Sequence, residues 1–300
     1  MAINDDSATR TLNAAIAADY DVVPYDPPII TGIDPENIFT AVTQCGITPR
    51  TKDFDVLDLG CGTGVQMERL AGMTAGRVVG IDLSQTATAR AAERCARFGE
   101  RCDVRCADFL DLTPEGLQQF DLIYCVGVLY VTPPTVQSHL LRLIAACLKP
   151  NGLAVISYYN GTAPLLLLGL RQTLRGLMDE TAPRDVQIRQ ARAHIQTMAE
   201  LFQRHDPRSP MVGLLQQTSG RSDAVLYHEM LGGTFEVMAT SALEGVLGKQ
   251  GVHFLNWMVP GPFGHIADPR DRALTADAFD FAGGGYHYAV FSKFGGVTGR

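Results

Sequence analysis

Short apolar runs alternate with amphipathic stripes through the first half of the chain. Val56 to Leu59, Arg77 to Ser84, Cys102 to Cys106, Phe120 to Val126 and Leu153 to Tyr159 read as buried strands. Helices read between them. The first shows Val65, Met67, Leu70 and Ala71 at helical spacing. The second is alanine-rich from Ser84 to Phe98 and stops at Gly99. A short third spans Pro114 to Gln119. The fourth, Thr135 to Leu148, carries Val136, Leu140, Leu143, Ile144 and Cys147 on one stripe. Alternating strands and helices imply a parallel sheet covered on both faces.

The flanks read differently. Residues 1–10 are polar and expected to be loose, ahead of a short helix from Thr11 to Tyr20 and a proline-dense stretch to Pro28. Asp34-Pro35-Glu36 starts a helix, with an N-cap acid and proline in the first turn, and the helix should run to Cys45. After the fifth strand roughly 90 residues precede the next, far more than a crossover needs. They read as mostly helical. Asp185 to His205 sets Ile188, Ala191, Ile195, Met198 and Phe202 on one stripe; Ser222 to Leu231 is a second helix; Thr234 can cap a third that ends near Lys249. Gly251 to Met258 and Tyr286 to Ser292 read as strands six and seven.

The chemistry gathers at the first strand, which runs into Gly60-Cys61-Gly62-Thr63-Gly64 and then a helix. Strand, glycine loop and helix form a nucleotide-binding turn, in which a ligand approaches bare backbone. The second strand ends at Asp82, 18 positions after Gly64, near the spacing of a carboxylate that binds ribose hydroxyls. Asp108 follows the third strand. The loop lacks the basic residue of a phosphate-binding P-loop, and Asp58 would repel a pyrophosphate, so a cationic ligand suits it better.

These motifs, in this order, resemble the class I S-adenosylmethionine-dependent methyltransferases. The resemblance implies a doubly wound, Rossmann-like α/β fold with a seven-stranded sheet whose last two strands form an antiparallel edge pair. It implies S-adenosylmethionine as the cofactor. Gly60, Gly62 and Gly64 would border its methionine end, with Asp58 and Cys61 also among the cofactor-binding residues. Asp82, with Leu83 beside it, would hold the ribose. Asp108 would meet the adenine amino group and Phe109 the ring, while Val126, Gly127 and Leu129 would floor the sulfonium.

A narrower resemblance rests on Val23-Pro24-Tyr25, Gly127 to Pro133, Ser157-Tyr158-Tyr159-Asn160 and Tyr227-His228-Glu229-Met230-Leu231. Together these look like bacterial methyltransferases with a so-called regulatory helical domain, which include longer rickettsial outer-membrane-protein lysine methyltransferases. This chain has Leu129-Tyr130 where such relatives tend to have Tyr-Ser-Trp. The expected organisation is an N-terminal cap or lid over 1–50, a cofactor core over 51–160, a helical insert over 161–250 and the last two strands over 251–300.

Methyl transfer needs a positioned nucleophile, excluded water and sometimes a base. His228 is the candidate base, and Tyr158 and Asn160 lie at the carboxyl edge of the sheet where such folds bind ligands. Tyr20, Tyr25, Tyr130, Tyr159 and Glu229 are the candidate acceptor-binding residues. His228, Glu229, His253, His265 and His287 are of metal-ligand type, but none is paired at one-turn helical spacing. His228 and Glu229, adjacent on a helix, should point apart, so no metal is expected. The leading expectation is transfer to a small molecule. The alternatives are a protein lysine acceptor and a non-catalytic protein that keeps the fold.

Composition narrows this further. With formal charge −7 and no basic run, nucleic acid is not an expected partner. Seven cysteines, an odd number, read as reduced thiols of a cytoplasmic protein. The longest apolar run, Pro164 to Leu170, is too short to span a bilayer, so no membrane partner is expected. The Asp185–His205 stripe also suits a homodimer interface.

Overall fold

The computed structural model describes residues 3–26, 29–258, 266–281 and 283–293. In chain order the elements are α1 (Ile3–Val22), α2 (Pro35–Gln44), β1 (Val56–Leu59), α3 (Val65–Met73), β2 (Val78–Asp82), α4 (Gln85–Cys95), β3 (Cys102–Cys106), α5 (Pro114–Leu117), β4 (Phe120–Cys125), α6 (Pro134–Cys147) and β5 (Leu148–Asn160). There follow α7 (Ala163–Leu177), α8 (Arg184–His205), α9 (Pro210–Ser219), α10 (Asp223–Leu226), α11 (Thr240–Leu247), β6 (Val252–Trp257), α12 (Pro269–Asp280) and β7 (Gly285–Lys293).

The strands form one seven-stranded sheet in the order β3-β2-β1-β4-β5-β7-β6. β1 to β5 are mutually parallel, and β7 is antiparallel to both β5 and β6. This is the α/β, Rossmann-like sheet the pattern implies. The chain winds outward from β1 to β3, returns to β4 and winds the other way. The crevice between the carboxyl ends of β1 and β4 is the switch point where such sheets bind ligands. Each face is sealed by its own apolar layer, one containing Leu57, Ile123, Leu140 and Phe291, the other Val56, Met67, Leu122 and Val155. A third cluster joins Leu170, Ile188, Ile195 and Leu215 of the helical segment to Tyr130 and Tyr159.

Several elements differ from the sequence reading. The first helix begins at Ile3, through residues expected to be loose, because its polar face is docked: Arg10 pairs with Asp111, Asn13 with Asp108 and Asp19 with Arg184. Asp34 does not cap α2 with its side chain; its carboxylate is held by Arg69 at 2.6 and 2.5 Å. The turn expected at Lys149 to Gly152 is a bulge within β5, where Asn151 takes φ 61°. The helix expected from Thr234 is extended to Ala239: Glu236 N–H donates to Tyr130 O (2.8 Å) and Met238 N–H to Tyr159 O (2.7 Å). α11 starts only at Thr240, capped by Asp277 from α12 (2.7 and 3.0 Å to the N–H groups of Thr240 and Ser241), a partner 37 and 36 positions away that no local pattern announces. α12 itself went unread, although Asp268-Pro269 repeats the acid-proline start and Asp268 caps Asp271 N–H at 2.9 Å. At the far edge of the sheet Trp257 stacks on His287, ring centroids 3.9 Å apart.

Candidate active site

The glycine loop opens the cavity for two different reasons. Gly60 and Gly64 take φ 80° and 81°, and a Cβ on either would collide, at 2.1 Å with Val128 Cγ2 and at 2.7 Å with Ala91 Cα. They let the loop pack onto its neighbours. Gly62, at φ 52°, would place a Cβ in open space with only Tyr25 O within reach, at 3.8 Å. That bare surface faces the cavity. Asp82 fixes the loop, its two carboxylate oxygens accepting N–H bonds from Gly62 and Ser84, both at 2.9 Å.

The cavity at this switch point spans about 1400 Å³ of empty space, its open mouth included. It is lined by Asp58, Gly60, Cys61, Gly62, Asp82, Leu83, Asp108, Phe109, Val126 and Gly127 on the core side. Gly64 and Leu129 lie behind this wall, packed in the core, rather than lining it as expected. Asp58 is buried, and that burial, with Asp82 nearby, pushes its carboxyl up to about 7; burial raises Asp82 as well. Both therefore favour a cationic ligand that restores their charge. Gln66, on the first turn of α3, also lines the cavity, and neither polar atom of its buried amide has a hydrogen-bond partner. Asp108 already accepts from Asn13 Nδ2 (3.0 and 2.9 Å) and Leu110 N–H (2.9 Å), so an adenine amino group would join an occupied carboxylate.

A strap made of α1 and the residues up to Asp26 crosses the cavity mouth. Besides Asn13, Asp21 accepts from Ser84 Oγ (2.6 Å) and Thr86 N–H (3.1 Å), and Thr63 Oγ1 donates to Asp26 (2.6 Å). The strap touches the roof through His228: Tyr20 stacks on its ring at 3.9 Å, Tyr25 meets it edge-on at 6.3 Å, and Nε2 lies 2.6 Å from Val23 O. A carbonyl only accepts, so Nε2 carries the proton and Nδ1 is the basic nitrogen. Burial holds this histidine below its ordinary pKa, in the neutral form.

The roof comes from a π turn, Tyr227–Leu231, closed by Gly232 N–H to Tyr227 O at 2.8 Å. One extra residue per turn alters the helical phase. Both His228 and Glu229 line the cavity as a result, whereas a regular helix was expected to point them apart. Glu229 Oε2 accepts from Arg221 and from Tyr159 OH (3.2 Å), and Tyr130 OH lies 3.5 Å from Oε1. Burial raises the Glu229 carboxyl and outweighs the opposing effect of Arg221. Arg171 of α7 fixes the turn from behind, donating to the carbonyls of Glu229 (2.8 Å), Gly232 and Gly233 (2.9 Å).

Tyr158 and Asn160 take no part in the cavity. Tyr158 is fully buried, its hydroxyl bonded to Thr240 Oγ1 (2.8 Å) and Trp257 Nε1 (3.1 Å); Asn160 binds Asp277 (2.9 Å) and Gly161 N–H (2.7 Å). Alternation along β5 sends these two toward α11 and α12, while Tyr159 reaches Glu229 from behind the cavity wall. Sequence reading missed Asn13, Gln66, Arg171 and Arg221. Only Gln66, one turn into the helix after the glycine loop, carried a local signal. Among the described residues no three His, Cys, Asp or Glu side chains are assembled to hold a metal; His265 lies outside those residues. No helix among them is long and apolar enough to cross a membrane.

Residues 56–152 match the family described as a methyltransferase domain. A ubiquinone biosynthesis O-methyltransferase of Bradyrhizobium diazoefficiens is 34% identical over 126 residues, which cover 41% of this chain and 47% of that protein. Such curated relatives are matched over about half of their length, 56%, 42% and 47% in three cases. Among solved structures, PKMT2 from Rickettsia typhi in complex with AdoHcy aligns with TM-score 0.74 and 19% identity, over 89% of this chain and 54% of that one. A Burkholderia thailandensis 1,6-didemethyltoxoflavin-N1-methyltransferase with bound S-adenosylhomocysteine aligns with TM-score 0.51 and 16% identity, over 96% and 90%. At these identities the structural matches speak to the fold.

Proposed function

Because this chain belongs to the class I S-adenosylmethionine-dependent methyltransferases, we propose that it methylates a small-molecule acceptor bound beneath the strap. The observation that carries this reading is the strap across the cavity mouth, which bonds to the glycine-loop side at Thr63 and Ser84 and to the roof at His228. An acceptor enclosed there is shielded from water, which an in-line displacement requires.

The residues present fit the cofactor. Asp58 and the unpartnered amide of Gln66 would hold its amino-acid end, bare Gly62 backbone would admit it, Asp82 would take the ribose, and Asp108 with Phe109 the adenine. When bound, S-adenosylmethionine supplies a methyl group already activated on a sulfonium. The protein's share is positioning. Tyr20, Tyr25 and Tyr130 form the acceptor walls, with His228 and Glu229 above. His228, neutral and anchored through Nε2, is the group that can receive a proton at Nδ1.

The test is incubation with methyl-labelled S-adenosylmethionine and a lysate of the source cells, followed by separation of the label by size. Label in the small-molecule fraction is expected. Label on protein instead would move the acceptor to a side chain such as lysine. No label, with S-adenosylhomocysteine binding demonstrated separately, would point to a non-catalytic protein that keeps the fold.

A further inference from the structure

Glu229 is the carboxylate of this cavity that the cofactor does not account for. Asp58, Asp82 and Asp108 line the core side; Glu229 hangs from the roof, on the π turn that Arg171 pins in place. One of its oxygens is committed. Oε2 takes both Arg221 and the Tyr159 hydroxyl, whereas Oε1 has only Tyr130 OH at 3.5 Å. A buried carboxylate oxygen holds more than one strong donor, so Oε1 can accept another. Tyr20, Tyr25 and Tyr130 line the same cavity, and aromatic rings attract cations.

The rest of the lining sharpens the choice. Among the described residues the cavity wall has four carboxylates and no lysine or arginine; Arg221 stands behind Glu229 and is engaged by it. An anionic acceptor would find no counter-charge there and would meet Glu229 directly. A neutral hydroxyl would satisfy Oε1 but gain nothing from the surrounding negative field. A protonated amine or N-heterocycle gains both a charge-assisted hydrogen bond and the aromatic faces. We propose that Glu229 is the recognition group for a basic nitrogen on the acceptor, Oε1 receiving its N–H while Arg221 and Tyr159 hold the carboxylate in place. This rests on the reading that the acceptor shares the cavity with the cofactor.

The experiment uses the whole protein saturated with S-adenosylhomocysteine and three probes of one shape: benzylamine, benzyl alcohol and benzoate, titrated by calorimetry or followed by saturation-transfer NMR. Benzylamine is expected to bind at least tenfold more tightly than the alcohol, with benzoate weakest. In Glu229→Gln, which keeps the shape and removes the charge, the amine and the alcohol should come within twofold of one another; S-adenosylhomocysteine binding serves as its folding control. The wild-type comparison stands without the variant. Equal binding of the three probes, no binding by any, a preference for benzoate, or an amine preference that survives Glu229→Gln would each overturn the proposal. Failure of the parent reading is read separately: the wild-type protein would not bind S-adenosylhomocysteine, or the labelling assay would put no methyl group on a small molecule, whereas the ranking of the three probes tests Glu229 alone.

Discussion

Two glycines two positions apart in one loop make the sharpest test of the site, since alanine at Gly64 and at Gly62 should fail in opposite ways. Both positions lie at positive φ, so either alanine incurs about 1–2 kcal/mol of backbone strain. Alanine also restricts the unfolded chain, which returns about 0.4–1 kcal/mol. There the two part. At Gly64 the new methyl would stand 2.7 Å from Ala91 Cα and 2.8 Å from its Cβ, and the first of these is backbone, so α3 and α4 must separate. Such overpacking costs about 1–3 kcal/mol more. At Gly62 nothing but Tyr25 O is near, at 3.8 Å. Gly64→Ala should therefore lose about 1–3 kcal/mol more than Gly62→Ala in urea unfolding at unchanged slope, the latter losing at most about 1.6 kcal/mol. Calorimetry with S-adenosylhomocysteine should reverse the order, with Gly62→Ala at least tenfold weaker because its methyl stands on the cofactor's side of the loop. Equal destabilisation by the two, or cofactor binding untouched by Gly62→Ala, would refute the division of labour drawn for this loop.

Other expectations follow from the same geometry. Tyr158→Phe removes the buried hydrogen bonds of its hydroxyl to Thr240 Oγ1 and Trp257 Nε1 and should cost about 1–3 kcal/mol of stability, while KM and kcat change less than twofold, as measured by denaturation and turnover. Gln66→Ala should weaken S-adenosylhomocysteine about tenfold, in keeping with the loss of one or two hydrogen bonds, and dialysis would show it. Cofactor affinity should fall as pH drops below about 7, because the free-state Asp58 carboxyl sits there and the cation binds its ionised form; calorimetry from pH 8 to 5.5 reads this, and a flat profile would remove Asp58 as a charge partner. Asp21→Ala should free the strap, seen as faster proteolysis within residues 3–26 and faster release of S-adenosylhomocysteine.

The core wall of the cavity was legible because its signals are local. A strand, a glycine loop and a helix are contiguous, and Asp82 and Asp108 sit where successive parallel strands end, so one topology brings them together. The acceptor half was not. Whether His228 and Glu229 share a face depends on a π turn held by Arg171, 58 positions from Glu229. Asp277 moves the start of α11 from the far side of the chain. Tyr158 and Asn160 lie at the expected sheet edge but turn away from the cavity, toward Thr240 and Asp277. The polar α1 reads as loose in isolation because its helix is secured by Asp111, Asp108 and Arg184 from elsewhere in the sequence.

The stacked pair at the sheet edge has an optical consequence. The protein has a single tryptophan, and it sits 5% exposed against His287, away from the cavity wall. Its emission should be short-wavelength and should shift red only when the β6–β7 edge opens. Filling the cavity should leave that colour unchanged and register instead in the absorbance of Tyr20, Tyr25 and Tyr130. Fluorescence thus supplies an unfolding signal uncontaminated by ligand, and a tryptophan substituted for Tyr20, on the strap itself, would give the complementary lamp that watches the mouth open and close.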